Sequence, residues 1–216
     1  TPKSNNCELE LTYSKTTMKA NYLTKGILCH INDESFSSKP TDIKFMGKLR
    51  DKLIQKPWDY LTERQFIEKI TTGHAWYGCI FQGHDLMHCD QQSQRQCWRA
   101  QSVVAVDVDK CPIHPIHMAH FYNDMGLIPW IVQRTFSDDP DGLRSYRLLW
   151  RVEVDHNISY EQWAAVIKGL SLLTEYGDKH ARDCTRMWQG SHSSLSWKIP
   201  GLMWDYKSLA KTLKLL

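Results

Sequence analysis

The sequence predicts a fold of the α/β or α+β class, because segments with the alternating pattern of strands are interspersed with segments of helical spacing. The strongest local signal is a β-hairpin, in which LIPWIVQRTFS (127–137) and LRSYRLLWRVEV (143–154) flank the turn DDPDG (138–142). The chain has 216 residues, of which 42% are hydrophobic and 24% are charged. This composition is typical of a globular protein and provides a core for one large domain or two small ones.

The N-terminal part combines short strands with two helices. Residues 8–13 (ELELTY) and 26–32 (GILCHIN) have strand patterns. Residues 43–56 place apolar side chains at helical spacing, and Pro57 ends that helix because proline has no amide hydrogen to donate. A second helix is predicted to begin after Thr62, which is a favourable N-cap residue.

The rest of the chain continues the alternation. HAWYGCIF (74–81) has the pattern of one strand, and residues 82–96 that of a polar loop. Helices are expected over 116–125, which Gly126 closes, and over 159–176, which Ser159 caps and which ends near Gly177. Residues 202–216 predict a short terminal helix.

The segment QSVVAVDVD (101–109) ends in two aspartates at alternate positions. On a strand, Asp107 and Asp109 share one face, while Val106 and Val108 take the other. At about 3.3 Å rise per residue the two aspartates lie about 6–7 Å apart along the backbone, so their charges repel each other. A positive charge is expected between them, from an arginine, one metal ion or two. A solvated strand end or a simple salt bridge is the alternative interpretation.

A second acidic segment, GDKHARDCTRMWQGS (177–191), contains Asp178 after a predicted helix end and Arg186 eight residues later. Two-metal phosphoryl-transfer sites hold their ions with several shared oxygen ligands, so a third carboxylate favours such a site. Magnesium and manganese are the ions that carboxylates and water suit best.

The hairpin between these segments carries arginines and hydroxyl groups. Arginine presents a planar fork that matches phosphate oxygens, and Ser145 and Arg147 share a face because they are two residues apart on a strand. Arg134 and Ser137 lie on the other predicted strand of the hairpin. The alternative is that these arginines are ordinary solvent-facing residues.

Three segments of the chain resemble, in their order, the three motifs of the archaeo-eukaryotic primases, the primase-polymerase superfamily. The form they resemble is the one carried by plasmids and other mobile elements. The segments are the strand VVAVDVD, the strand segment SYR and the segment DKHARDCTR. The resemblance extends over about residues 71–195. It implies a catalytic core with a mixed sheet like that of RNA-recognition motifs, together with a smaller N-terminal α/β subdomain.

The resemblance also implies a division of the chain. We expect one catalytic domain over 1–216, with an N-terminal α/β part (1–72), the catalytic motifs (73–200) and a C-terminal helix (201–216). Because the chain begins at Thr1 without an initiating methionine, we expect it to be a fragment of a longer protein.

For the site, the resemblance implies that Asp107, Asp109 and Asp178 are catalytic and hold two magnesium or manganese ions. It implies nucleotide binding by Arg134, Ser137, Ser145, Arg147 and Arg186. Many members of the superfamily have histidine where this chain has Arg147. Asp183 belongs to the same third motif and is expected to brace the site or to contact the nucleotide.

The implied function is template-dependent nucleotidyl transfer, in which a DNA primase-polymerase joins nucleoside triphosphates on single-stranded DNA during replication of a mobile element. A helicase domain or partner is a further expectation. No segment resembles a signal peptide, and no apolar run approaches the ~20 residues that span a membrane, so we expect a cytoplasmic protein. The net charge of +3 is too small to indicate nucleic-acid binding by itself. The alternatives are a metal-dependent nuclease and a non-catalytic protein that binds single-stranded DNA in replication.

Seven cysteines, an odd number in a chain without a signal peptide, predict free or metal-bound thiols rather than a disulfide framework. Several lie close to histidines before the aspartate strand. A structural zinc site would draw on Cys79, His84, His88, Cys89 and Cys97. Their spacing does not form the paired C-x2-C pattern of common zinc modules, so ordinary core and surface positions are the alternative.

Overall fold

Two four-stranded antiparallel sheets contribute side chains to a common core rich in tryptophan. The computed structural model describes residues 26–82 and 91–216, and the strand predicted over 8–13 lies outside them. Helices pack against both sheets, so the mixed α+β class is confirmed. None of the helices within the described residues is long and apolar enough to cross a membrane.

Strands, often in consecutive pairs, are interspersed with α-helices along the described part of the chain. The strands are β1 (Ile27–Ser35), β2 (Asp59–Leu61), β3 (His74–Tyr77), β4 (Cys79–Phe81), β5 (Trp98–Gln101), β6 (Val103–Cys111), β7 (Ile131–Arg134), β8 (Arg144–Arg151), β9 (Met187–Gln189) and β10 (Leu195–Lys198). The helices are α1 (Ile43–Gln55), α2 (Glu63–Thr71), α3 (Gln91–Cys97), α4 (Pro115–Asp124), α5 (Tyr160–Leu172) and α6 (Tyr206–Thr212).

The first sheet has the strand order β2-β1-β3-β9, and the second has the order β10-β7-β8-β6. The family resemblance implies a sheet with both parallel and antiparallel pairings. In the structure, the pairings within the second sheet are all antiparallel. The tight β7–β8 hairpin sets one pairing, and β6 and β10 run antiparallel to the outer sides of that hairpin. Strand β9 comes late in the chain yet completes the first sheet, so the N-terminal strands and the segment that follows Asp178 share one sheet.

The two predicted N-terminal helices are confirmed, and their ends follow from side-chain chemistry. The Asp42 side chain accepts hydrogen bonds from the first amides of α1, and Pro57 follows its last turn. At α2, Thr62 and Gln65 form a reciprocal capping box, in which each side chain accepts from the backbone N–H of the other.

The segment predicted as one strand over 74–81 is two strands, because the chain bends at Gly78. Its carbonyl accepts hydrogen bonds from the amides of Ser102 and Val103, so β3 joins the first sheet while β4 pairs with β5. The polar loop predicted over 82–96 is also wrong in part, because its end forms α3.

Three elements are shorter than predicted. The strand expected over 127–137 is limited to β7, because Leu127 closes the end of α4 and the residues after Arg134 enter the hairpin turn. Helix α5 ends at Leu172 rather than near Gly177, since the residues that follow pair with β6. The terminal helix is α6 only, because Trp204 forms a parallel bridge with Val152 before the helix begins.

Because side chains alternate along β6, one face of the strand is apolar and the other carries the aspartates. Val104, Val106 and Val108 are buried against α4 and α5 in the larger core cluster. On the opposite face the buried Ala105 is followed by Asp107, which marks the end of the apolar core. The predicted separation of valines and aspartates is therefore confirmed.

We predict that Gly78→Ala destabilises the protein. An added Cβ would lie 2.2 Å from the carbonyl oxygen of Val103, so the backbone of β6 must shift. We expect the free energy of unfolding to fall by about 2–3 kcal/mol in urea unfolding. The matched control is Gly47→Ala inside α1, where an added Cβ meets no atom within 4 Å. That change should increase stability by about 0.5–1 kcal/mol, and equal effects of the two variants would contradict the role of Gly78.

Candidate metal centre

Three carboxylates converge at the end of β6. Asp107, Asp109 and Asp178 each provide an oxygen atom, and these atoms lie within 4.8 Å of one another. Within the described part of the chain, no other group of three histidine, cysteine or acidic side chains comes together in this way. Asp107 and Asp178 are half-buried, whereas Asp109 is exposed.

Asp178 reaches the cluster because the chain after α5 adds a short antiparallel bridge to β6. The Asp178 amide donates to the carbonyl of Asp107 over 2.9 Å, and the Asp109 amide donates to Tyr176 over 3.2 Å. Between them, Gly177 pairs with Val108, and an added Cβ there would lie 2.4 Å from the Ser171 carbonyl oxygen. The backbone thus fixes the separation of the two acidic segments.

The Asp178 side chain is itself oriented by a turn. Its Oδ1 atom accepts a hydrogen bond from the amide of His180 over 2.8 Å, at the start of a 3-10 turn over Lys179–Ala181. One carboxylate oxygen is therefore tied to the backbone, while the other carries no hydrogen bond in the described contacts. This arrangement directs the carboxylate toward the aspartates of β6.

A buried arginine pairs with Asp107. Arg147 lies opposite Asp107 in the β6–β8 ladder, and its Nε and Nη2 atoms are both 3.2 Å from Oδ1 of that carboxylate. Its Nη1 atom donates to the carbonyl of Gln189 over 3.0 Å, and the guanidinium lies 4.5 Å from the ring centre of Trp188. The predicted cation beside the aspartates is thus present, but its contacts are with Asp107 alone among the three.

Asp109 is the carboxylate that its neighbours disfavour most. Although its side chain is exposed, partial desolvation by the surrounding groups raises the pKa of its carboxyl group, and the charges of Asp107 and Asp178 raise it further. A hydrogen bond with Ser145 and the more distant charge of Lys39 act in the opposite direction. The ionised form is therefore disfavoured, and a cation held between the carboxylates would relieve that cost.

The donor set fits a hard divalent ion. All three ligands are carboxylate oxygens, which suit magnesium or manganese, and a cluster within 4.8 Å matches metal–oxygen distances of about 2.0–2.2 Å on opposite sides of an ion. No histidine or cysteine belongs to the cluster.

The structure separates the predicted nucleotide-binding residues into two groups. Ser145 and Arg147 lie on the same face as the aspartates, as the two-residue spacing predicts. Arg134 pairs with Tyr146 in the hairpin, so its side chain belongs to the opposite face, where its Nε atom donates to Ser196. Ser137 is exposed in the turn beyond β7. The structure therefore does not bring Arg134 to the carboxylates.

Arg186 is exposed on a turn. Burial lowers the pKa of Arg147, and the positive charge of Arg186 lowers it further, so the two guanidinium groups lie close together. The turn is held by Asp183, whose Oδ1 accepts hydrogen bonds from the Thr185 amide over 2.7 Å and the Tyr160 hydroxyl over 2.8 Å. Asp183 thus holds the turn that carries Arg186.

Sequence reasoning missed Lys39, Trp188 and Gln189 as neighbours of the site. Lys39 lies far from the aspartates in sequence, and no local pattern connects them. Trp188 and Gln189 belong to the segment RMWQGS, but their role depends on β9 lying beside β3 rather than on a motif.

The described residues do not unite the predicted zinc ligands. His84, His88 and Cys89 lie outside them. Cys79 is fully buried, and desolvation raises the pKa of its thiol. Cys97 is about three residues further along the β4–β5 ladder, which corresponds to roughly 10 Å. All the cysteines among the described residues have free thiols.

We predict opposite stability effects for the two aspartates of β6 when chelator is present. Asp107→Ala leaves the buried Arg147 without its carboxylate and should lower the free energy of unfolding by about 3 kcal/mol. Asp109→Asn removes a repelling charge and should raise the melting temperature by about 2–4 °C. Thermal and urea unfolding measure both changes. A destabilised Asp109→Asn variant would show that this carboxylate serves the fold rather than a metal ion.

Comparisons with known proteins give one structural likeness. No protein-family model and no curated protein matches the chain. Among solved structures, the AEP domain of the cyanophage S-2L primase-polymerase is similar, with 16% sequence identity, coverage of 72% of this chain and 79% of that chain, and a TM-score of 0.44.

Proposed function

We propose that this chain is a template-dependent nucleotidyltransferase, a DNA primase-polymerase that joins nucleoside triphosphates on single-stranded DNA. The observation that carries the proposal is the convergence of Asp107, Asp109 and Asp178 within 4.8 Å, with cationic side chains on the same face. The order of these residues in three motifs that resemble those of archaeo-eukaryotic primases supports the same conclusion.

In this proposal the three aspartates hold two magnesium or manganese ions. When bound, such ions lower the pKa of the attacking hydroxyl and neutralise charge on the leaving pyrophosphate. Asp109 is the least compensated of the three, so its carboxylate would gain most from a bound cation. Asp107 uses Oδ1 for Arg147, which leaves Oδ2 for a metal ion.

The contacts of Arg147 favour a positioning role. Its guanidinium is buried between Asp107, the Gln189 carbonyl and the Trp188 ring, so a contact with triphosphate would require it to release one of these partners. Arg186 is exposed beside it and offers a guanidinium to phosphate oxygens. We therefore assign the main phosphate contact to Arg186, with Ser145 orienting Asp109.

Arg134 and Ser137 remain predictions as nucleotide contacts. From the opposite face of the hairpin, Arg134 would reach a triphosphate only around the edge of the sheet. The division into an N-terminal part, catalytic motifs and a C-terminal helix is likewise part of the proposal, as are a helicase partner, a role in a mobile element and a cytoplasmic location.

A metal-dependent nuclease is the main competing function, because it would use the same carboxylates. A nuclease holds a phosphodiester and a water molecule, whereas a polymerase must also bind a free triphosphate with fixed cations. A protein that only binds single-stranded DNA has no need of three carboxylates that repel one another.

Incubation of the protein with single-stranded DNA, manganese and labelled nucleotides tests the proposal. We expect labelled product longer than the primer or, without a primer, short new strands. Asp178→Ala should abolish the product while the protein remains folded, since its side chain contacts the backbone of one exposed turn. Shortened DNA without incorporation would identify a nuclease, and neither product would support a binding-only protein.

We predict that Arg186→Ala raises the KM for the nucleotide about tenfold or more, because a charge-assisted contact with phosphate is lost. Steady-state incorporation with varied nucleotide measures the change, and the affinity for single-stranded DNA should stay nearly constant. Arg64→Ala on α2, which removes another exposed arginine, is the matched control. If both variants have the KM of the unmodified protein, Arg186 does not contact the nucleotide.

A further inference from the structure

Helix α1 has two different faces. Leu49, Leu53 and Ile54 are buried against the first sheet. Lys44, Lys48 and Lys52 are exposed and follow one another at intervals of four residues, so they form a straight row along the outer side of the helix. We call these three residues the lysine row.

The lysine row is not balanced by acidic neighbours. Like charges four residues apart destabilise a helix, and among the described contacts none of the three lysines forms an ion pair. Residues 39–56 contain six lysines and arginines, Lys39 included, against two aspartates. Of the two aspartates, Asp42 caps the helix and Asp51 pairs with Arg50.

The first turns of α1, where the row begins, approach the carboxylate cluster through the inner side of the helix. Met46, in the first turns of α1, contacts the side-chain amide of Gln189 over 3.7 Å, and the carbonyl of Gln189 accepts the hydrogen bond from Arg147. Lys39, just before the helix, is a further exposed cation at this end of α1. Phe45 is 43% exposed in the same turn.

The other end of the row opens into a cleft of about 480 Å³ behind the end of α1. Trp58 forms part of its wall with half of its surface exposed, and Phe81 lies in the same lining. Lys56, Arg99 and His156 surround these rings. An exposed indole among basic groups is the type of surface on which nucleic-acid bases stack.

We propose that α1 is the binding track for single-stranded DNA, which runs from the carboxylate cluster along the lysine row to a base-stacking site at Trp58. The helix has 13 residues and spans about 20 Å, so the two ends are separated by several nucleotides. This inference extends the proposed function, because it places the template strand of that same site.

The chemistry favours a single strand over a protein partner. A row of lysines at regular spacing meets a regular row of phosphates, and an aromatic cleft at its end suits an unstacked base. A solvated lysine face is common on helices, but here the row connects a metal-type carboxylate cluster to an exposed tryptophan.

Fluorescence anisotropy with a labelled oligothymidylate tests the track on the full chain. The first variant combines Lys44→Gln, Lys48→Gln and Lys52→Gln. It should bind at least about tenfold more weakly at low salt. The slope of log affinity against log salt should fall by about 2, because each lost phosphate contact contributes about 0.7. The matched control combines Lys168→Gln, Lys207→Gln and Lys211→Gln, which remove the same charge from the exposed sides of α5 and α6. Equal affinities and slopes of the two triple variants would overturn the track.

The stacking site is tested separately. Trp58→Ala should weaken binding about tenfold, because the variant loses the contact with a stacked base. The salt dependence of binding should not change, since every phosphate contact is kept. Trp58→Phe should retain most of the affinity. The control is Phe121→Ala on α4, where an exposed ring of similar accessibility lies away from the cleft. Unaltered binding by Trp58→Ala would remove the cleft from the proposal.

The same variants separate this inference from the proposed function. Thermal stabilisation by nucleoside triphosphate with manganese reports on the carboxylate cluster and should be the same in the lysine-row variant as in the unmodified protein. If the unmodified protein incorporates no nucleotide but its DNA binding depends on the lysine row, the track stands and the polymerase proposal fails. If incorporation occurs and the row has no effect on DNA binding, the polymerase proposal stands and the track is wrong.

Discussion

The buried ion pair between Arg147 and Asp107 is the interaction on which the organisation of the site depends. Arg147 belongs to β8, Asp107 to β6 and the other partners of the guanidinium to β9, so one side chain connects the second sheet to the first. Burial disfavours the charged guanidinium and lowers its pKa, and the Asp107 carboxylate opposes that effect. The carboxylate therefore stabilises the contact between the two sheets at this point, which ties the position of the first aspartate to the packing of the domain.

The other two carboxylates have a different relation to the fold. Asp178 is placed by backbone hydrogen bonds to β6, and Asp109 has no buried cation of its own among the described residues. The protein thus brings one balanced and two poorly balanced carboxylates together, and the repulsion is a cost that the fold must offset elsewhere. Such a distribution is typical of a site whose missing charge is supplied by a bound cation, and it explains why stability and metal affinity should respond in opposite ways to changes at Asp109.

Local charge, rather than net charge, distinguishes the surfaces of this protein. The chain as a whole carries only +3, yet the acidic cluster and the lysine row are separate concentrations of opposite charge. Met46 of α1 contacts Gln189, whose carbonyl accepts a hydrogen bond from Arg147 beside the cluster. In the proposed track, the lysine row would attract the phosphates of a DNA strand and direct the strand toward the carboxylate cluster. The net charge of the chain gives no sign of this local attraction.

The sequence by itself determined the α+β class, the helices that follow Asp42, Thr62 and Ser159, and the common face of Asp107 and Asp109, because caps and strand alternation act over a few residues. Tertiary structure alone decided which side Arg134 takes, since a shift of one residue in the hairpin register would move it to the other face. It also decided that Asp178 joins β6 and that Lys39 lies near Asp109. These contacts join segments far apart in the chain, and they form only when both sheets are packed.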